Sequence, residues 1–197
     1  MRLYIDVMRH AHATKVPGVD DLYRPLSEMG ISQALAARDR YRNEFEKIRL
    51  VLHSPAPRAL CTAAIIIGEV RQPFINVDRL WTFRNQRFGN QQWQAFDKYG
   101  YELPKYLEDP VAAEAMHYFG SHAAIEVLNQ MDLMLGLGDY DGDIVIVAGH
   151  AVCSNFLAFH LSGKQDDNVF KIALAETRRL RLVFEDGKYV GIAKDDH

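Results

Sequence analysis

The stretch "DIVIVAGHAVCSNFLAFHLSG", residues 143–163, holds a predicted strand and a predicted helix in direct succession. The β-branched run from 143 to 149 is typical of a strand that is buried on both faces. The segment that begins at His150 is long enough for a helix, and we expect it to end at Gly163 because glycine commonly closes helices. A buried strand followed at once by a helix is the repeating unit of an α/β fold.

Other parts of the chain repeat this pattern. Three further strand candidates are "LYIDVM" (3–8), "IRLVLHS" (48–54) and "PFINVD" (73–78), and two further helix candidates are a segment capped by Ser27 and "APRALCTAAIIIGEV" (56–70). A "DG" turn between 178–184 and 188–193 predicts a terminal hairpin. We therefore expect an α/β fold with a largely parallel sheet, whose functional groups gather at the carboxyl ends of the strands.

The segment from about 81 to 122 interrupts the alternation. It is rich in aromatic and amide side chains, and its first half has no clean strand or helix period. We interpret it as a cap inserted into one domain that spans residues 1–197. Such a cap either closes an edge of the domain as a small satellite core or serves as a lid that selects the substrate.

Composition excludes several classes of function. A chain of 197 residues with a net charge of −3 has no basic footprint, so we expect neither nucleic acid nor a membrane surface as a partner. The cysteines Cys61 and Cys153 form no disulfide framework, and we see no signal peptide or anchor, which favours a cytoplasmic location. The sequence carries no signal for the oligomeric state.

Four side chains with complementary chemistry follow predicted strands. Arg9 and His10 lie in "MRHAHA" (8–13), Arg58 in "HSPAPRALCTA" (53–63) and His150 in "AGHAVCSNFLA" (148–158). Two guanidinium groups can hold a phosphoryl group through paired N–H donors. A neutral imidazole can attack phosphorus, which makes His10 the candidate nucleophile. A second, protonated imidazole, His150, can donate to the oxygens that gain charge in the transition state.

These stretches resemble the histidine phosphatase superfamily, also called phosphoglycerate mutase-like. "VMRHAHAT" (7–14) is similar to its Arg-His-Gly signature, and "RPLSEMGISQALA" (24–36), "HSPAPRALCTA" and "VIVAGHAVCSNFLA" (145–158) are similar to three further family stretches in the family's order. The resemblance implies a three-layer α/β sandwich and no cofactor. It also implies a phosphorylated His10, a phosphate clamp of Arg9 and Arg58, and a second catalytic histidine at His150.

The sequence departs from the family pattern at two positions. Ala11 replaces the signature glycine, which is a small change. Thr82 stands where the family has a glutamate that acts as general acid, and threonine cannot protonate an alkoxide usefully. Either another acid enters from the cap or the N-terminal loop, or the leaving group needs little protonation. Phosphohistidine meets the second condition, and the phosphohistidine phosphatase branch resembles this chain in lacking that glutamate and in its "RPL" stretch.

We therefore expect a metal-independent phosphatase that acts on a small phosphorylated substrate or on a phosphohistidine protein. One alternative is a phosphomutase, for which Arg84 and Arg87 would supply a second phosphate position. Another is a non-catalytic module that binds a phosphorylated ligand. No histidine pair has a ligand-like spacing with a cysteine or carboxylate partner, so we expect no metal site.

Overall fold

The computed structural model describes residues 1–68, 72–81, 88–136 and 141–193. The strands are β1 (Arg2–Arg9), β2 (Ile48–His53), β3 (Phe74–Asn76), β4 (Asp143–Gly149), β5 (Arg179–Glu185) and β6 (Lys188–Ile192). The helices are α1 (Glu28–Tyr41), α2 (Pro57–Ile67), α3 (Gly89–Tyr99), α4 (Leu103–Glu108), α5 (Pro110–Leu135) and α6 (Ala151–Leu161). Every strand predicted from the sequence is present, although β3 is shorter than its predicted range.

The six strands form one sheet in the order β3-β2-β4-β1-β5-β6. The strands β1, β2, β3 and β4 run parallel, whereas β5 and β6 form the antiparallel hairpin predicted from the "DG" turn. Because parallel strands end at the same edge, the residues that follow β1, β2 and β4 meet there. These residues are His10, Ser54 and His150.

Helices cover both faces of the sheet, which confirms the predicted three-layer α/β sandwich. On one face, strand residues such as Val51 and Ile146 pack with α1 and α2. On the other face, strand residues such as Leu52 and Val147 pack with α5 and α6, beyond which lie residues of α3 and α4. No helix within the described residues is long and apolar enough to cross a membrane.

Helices make up most of the described part of the segment interpreted as a cap. The predicted boundary at about 122 falls inside α5, a helix of 26 residues that continues to Leu135. Gly120 allows α5 to approach α6 closely, since a Cβ at this position would lie 2.7 Å from the Phe156 carbonyl oxygen. The amide of buried Gln92, on α3, donates to the Ala115 carbonyl of α5 at 2.9 Å. The long helix thus belongs to the outer layer of the sandwich, and α3 is fastened onto it.

The start of α1 is joined to the loop that follows β1. Ser27 caps the helix by accepting a hydrogen bond from the Gly30 amide at 3.0 Å, as the sequence predicts. The Ser27 amide in turn donates to the carbonyl oxygen of His12 at 3.1 Å. A Cβ on Gly30 would lie 2.0 Å from the same oxygen, so only glycine fits where the helix meets the loop.

Candidate active site

The imidazole of His10 lies at the carboxyl edge of the sheet and is only 9% exposed. Its Nδ1 lies 2.6 Å from the carbonyl oxygen of Ala11, which can only accept a hydrogen bond, so Nδ1 carries the proton. The lone pair is therefore on Nε2, which accepts a hydrogen bond from Nε of Arg58 at 3.1 Å. This is the tautomer that a nitrogen nucleophile requires.

Arg58 projects from the first turn of α2 and is 2% exposed, so its position is fixed by its surroundings. Its Nη1 donates to the Asp21 carbonyl, and its Nη2 donates to the Asp21 carboxylate at 3.0 Å. Only Nε is directed at His10. The sequence predicted that Arg58 holds phosphate with both nitrogens of its fork, which stays a prediction, and the structure shows both Nη atoms bonded to Asp21 of the N-terminal loop.

Arg9, the last residue of β1, is the second cation of the site. Its Nη1 donates to the Leu174 carbonyl at 3.2 Å, and its Nη2 lies 3.6 Å from the carboxylate of Glu176. Its guanidinium carbon stands 4.3 Å from the centre of the Tyr101 ring. Its Nε is buried without a hydrogen-bond partner among the described residues.

His150 follows β4 and faces His10, with the two ring centres 5.1 Å apart. Its Nε2 lies 2.8 Å from Oγ of Ser54, the residue that follows β2. The Trp81 ring packs edge-on against His150 with a centre-to-centre distance of 4.8 Å. The structure therefore brings together all four side chains predicted for the site, and it adds Ser54 as a partner that orients the second imidazole.

Burial and the surrounding guanidinium groups favour the neutral form of both imidazoles. Loss of hydration, followed by the charge of Arg58, lowers the pKa of His10 to about 3. Loss of hydration also lowers the pKa of His150 well below its ordinary value. The sequence predicted that His150 is protonated when it donates to the transition state, and this stays a prediction. A bound phosphate dianion would raise the pKa of both groups, because it brings negative charge beside them.

Sequence reasoning missed two residues of the N-terminal loop that complete this arrangement. Arg24 pairs through Nε with the Asp21 carboxylate at 2.6 Å, and Asp21 also pairs with Arg58. Both Asp21 and Arg24 line the same pocket as His10. Arg24 begins the "RPL" stretch, and the run "DDLYR" (20–24), which places acidic residues three and four positions before an arginine, is the signal for this ion pair.

Among the described residues, the pocket offers no unengaged carboxylate as a general acid. Thr82, and also Arg84 and Arg87, lie outside the described residues. Two carboxylates line the pocket, and protein groups already engage both. Asp21 pairs with two arginines, while Glu176 accepts a hydrogen bond from the amide of Gln33 at 2.9 Å. The described residues contain no group of three or more potential ligands that could hold a metal ion.

The pocket is a cavity of about 170 Å³ with two unlike ends. We call Arg9, His10, Arg58 and His150 the phosphate pocket. We call the rings of Trp93, Phe96 and Tyr101, which line the outer part of the same cavity, the aromatic wall. The wall comes from α3 and from the turn between α3 and α4, within the segment interpreted as a cap.

Solved structures of similar fold come from several phosphatases. A phosphoserine phosphatase from Entamoeba histolytica, in complex with 3-phosphoglyceric acid, is 18% identical with a TM-score of 0.61 over 99% of this chain and 98% of that chain. The mycobacterial glucosyl-3-phosphoglycerate phosphatase is 18% identical with a TM-score of 0.62 over 92% and 89% of the two chains. A protein described as the phosphohistidine phosphatase SixA of Nakamurella multipartitia is 18% identical with a TM-score of 0.57 over 100% and 98%.

At these identities the likeness shows a shared fold. No curated protein sequence matches this chain. The sequence profile of the histidine phosphatase superfamily, branch 1, matches residues 7–195, which is nearly the whole chain and includes all four residues of the phosphate pocket. The chain therefore belongs to the histidine phosphatase superfamily and is a phosphatase.

Proposed function

We propose that the protein hydrolyses a phosphomonoester or a phosphohistidine through a covalent phosphohistidine on His10, without a metal ion. The observation that carries this proposal is the state of the His10 ring. Its Nδ1–H is held by the Ala11 carbonyl, and its Nε2 lone pair is held 3.1 Å from the Nε of Arg58. A phosphoryl group that replaces this contact meets a nucleophile on one side and cationic donors around it.

The reaction has two steps. In the first, Nε2 of His10 bonds to phosphorus while the bond to the leaving group breaks, and the leaving group departs with the electron pair. Arg9 and Arg58 balance the charge on the phosphoryl oxygens, and His150 donates to them once the bound anion has raised its pKa. In the second step, water attacks phosphorus, the P–N bond breaks, and inorganic phosphate leaves with His10 regenerated.

The test is to trap the intermediate. Wild-type protein mixed with 4-nitrophenyl [³²P]phosphate and quenched in alkaline denaturant should carry a label that is stable to base and labile to acid. His10→Ala should lose the label and at least roughly 10⁴-fold in kcat, the scale of loss for a removed nucleophile. It should still bind inorganic phosphate, because the arginines remain.

Two controls define the result. His122→Ala, which removes a histidine of α5 outside the pocket, should keep the label. A metal chelator should leave the rate unchanged, and inhibition by it would contradict metal-independent chemistry. Phosphate binding with neither label nor turnover in the wild type would favour the non-catalytic module, and transfer of the label to a second substrate rather than to water would favour the phosphomutase.

A further inference from the structure

The aromatic wall is a continuous set of ring contacts along the cavity. The rings of Trp93 and Phe96 stack with their centres 6.3 Å apart and an angle of 28° between their planes. Phe96 meets Tyr101 edge-on at 5.6 Å. Nevertheless Trp93 remains 40% exposed and Tyr101 57% exposed, although large aromatic side chains gain most from burial. Exposed rings that line a cavity form a surface for a ligand.

The wall begins at the phosphate pocket itself. The guanidinium carbon of Arg9 stands 4.3 Å from the centre of the Tyr101 ring, so one residue of the wall contacts the clamp directly. A substrate whose phosphoryl group faces Nε2 of His10 and is held by Arg9 would therefore place its leaving group against these rings before the P–O bond breaks. The phosphate pocket and the aromatic wall line the same cavity, so one ligand can contact both without a rearrangement of the described residues.

Three polar side chains that line the cavity, His12, Asp21 and Glu176, are already paired with protein atoms. Nδ1 of His12 lies 2.7 Å from Oγ of Ser27. The carboxylates of Asp21 and Glu176 hold Arg24, Arg58 and Gln33. A sugar or an amino-acid leaving group would lose its hydrogen bonds to water here, because these side chains are already paired and the rings offer no hydrogen-bond partner. Each hydroxyl or charge left unpaired would cost binding free energy.

The size of the cavity adds a second restriction. Pockets for drug-sized ligands occupy roughly 300–1,000 Å³, whereas this cavity measures about 170 Å³. The space enclosed by the described lining suits a phosphoryl group and a single ring.

The geometry points to a leaving-group subsite for one flat aromatic ring, so that the substrate class is an aryl phosphomonoester. This inference rests on the proposed function and specifies its substrate. In the first step the bond between phosphorus and the aryl oxygen breaks, and the phenolate takes the electron pair and then a proton from water. A phenolate needs less protonation than an alkoxide, so this substrate class also suits a pocket whose carboxylates are engaged.

Binding of two phosphonates tests the subsite apart from turnover. Phenylphosphonate and cyclohexylphosphonate have six ring carbons each and the same anionic group, but only the first is flat and aromatic. Calorimetry on the wild type should show phenylphosphonate bound at least roughly 5-fold more tightly, which is the scale of one ring contact. Trp93→Leu should reduce this preference to less than about 2-fold.

Gln94→Leu is the matched control, because it changes an exposed residue of the same helix that does not line the cavity. It should keep the full preference. Equal affinity for the two phosphonates in the wild type would overturn the subsite. A preference that survives both Trp93→Leu and Phe96→Leu would overturn the assignment to the aromatic wall.

Turnover separates this inference from the proposed function. Wild-type protein should hydrolyse phenyl phosphate with a higher kcat/KM than hexafluoroisopropyl phosphate, whose alcohol has a comparable acidity but is not aromatic. Trp93→Leu should lower kcat/KM for phenyl phosphate by roughly 3- to 10-fold and leave kcat/KM for the other substrate unchanged. Absence of turnover with the phosphonate preference intact would refute the proposed function and keep the subsite. A phosphotyrosine peptide hydrolysed faster than phenyl phosphate would identify a protein as the source of the ring, and the reverse order would identify a small molecule.

Discussion

The phosphate pocket and the aromatic wall are built in opposite ways, although they share one cavity. The first lies at the ends of central strands, where Arg58 is 2% and His10 is 9% exposed. The second lies on α3 and the turn after it, where Tyr101 is 57% exposed. The buried half can fix the positions of reacting atoms, whereas the exposed half can change its side chains at little cost in stability. Reaction type and substrate choice are thus assigned to different parts of the fold.

The sharpest way to test this division is to change the donor that faces His10. Arg58→Lys removes the Nε donor and the contacts to Asp21, and it leaves only a point charge. We expect kcat/KM to fall by roughly 10²-fold or more, the scale of one lost transition-state donor. Steady-state kinetics with an aryl phosphate provides the measurement.

Arg24→Lys is the comparison variant, because Arg24 pairs with Asp21 and donates no hydrogen bond to His10 in the structure. Its loss in kcat/KM should be less than roughly 10-fold. Equal losses in the two variants would show that Arg58 acts only as a neighbouring charge, and near-normal kinetics of folded Arg58→Lys would make Arg58 a structural residue.

The next test addresses the missing general acid. Because Thr82 stands at the position of the family glutamate, the logarithm of the rate for substituted phenyl phosphates should fall steeply as the pKa of the phenol rises. Thr82→Glu should flatten this dependence if its carboxyl reaches the leaving oxygen. A flat dependence in the wild type, with the chemical step limiting, would mean that another group donates the proton.

A smaller effect is expected where Asp21 holds the phosphate pocket together. Asp21→Asn removes one negative charge from beside Arg24 and Arg58. Inorganic phosphate should bind roughly 5-fold more tightly, on the order of 1 kcal/mol for one unit charge at short range. At the same time kcat should fall, because Arg58 is held less firmly. Calorimetry and kinetics on the same variant would detect this split, and weaker phosphate binding would show that Asp21 mainly preorganises the site.

The smallest effect concerns stability at acid pH, to which both the pocket and the outer helices contribute. Burial lowers the pKa of His10 to about 3 and that of His160, on α6, to about 4, whereas an unfolded histidine titrates near 6.5. Below pH 6.5 these histidines bind protons in the unfolded chain but not in the folded chain. Their contribution to the free energy of unfolding is therefore fully present above pH 6.5 and declines as the pH falls toward 4. Thermal melts should show a lower Tm at pH 5 than at pH 7.5.

Substitution separates the contribution of the outer helices. The His160 side chain makes a hydrogen bond with Nδ1 of His117 at 3.3 Å, and its ring packs against His117 and Phe159. His160→Gln keeps a polar side chain at this position and removes the titrating group. It should reduce the drop in Tm between pH 7.5 and 5, while the phosphate pocket is unaltered. An identical drop in the variant would show that the acid sensitivity arises elsewhere.

The sequence predicted the phosphate pocket far better than the aromatic wall, and the reason is physical. Strand ends follow from β-branched runs and caps, so the convergence of His10, Arg58 and His150 could be inferred from local patterns. The helix α3 was missed because its apolar face is spread over a Gln-rich segment and is stabilised by contact with α5 through Gln92. The ion pairs of Asp21 with Arg24 and Arg58 depend on tertiary contacts, and the lowered pKa of His150 depends on burial and on nearby charges from other elements. Local sequence patterns do not encode either of them.

The contact between Gly30 and the His12 carbonyl has a consequence for how this protein can change. A side chain at position 30 would push against the loop two residues beyond the nucleophile, and so would move His10 without touching the substrate. Catalytic alignment therefore constrains the first turn of α1, a helix on the opposite side of that loop from the cavity. Selection for activity in a Gly30→Ala background would recover compensating changes in the loop. Randomising the exposed face of α3 would alter specificity directly. The two routes to new activity therefore differ in how many simultaneous mutations they require.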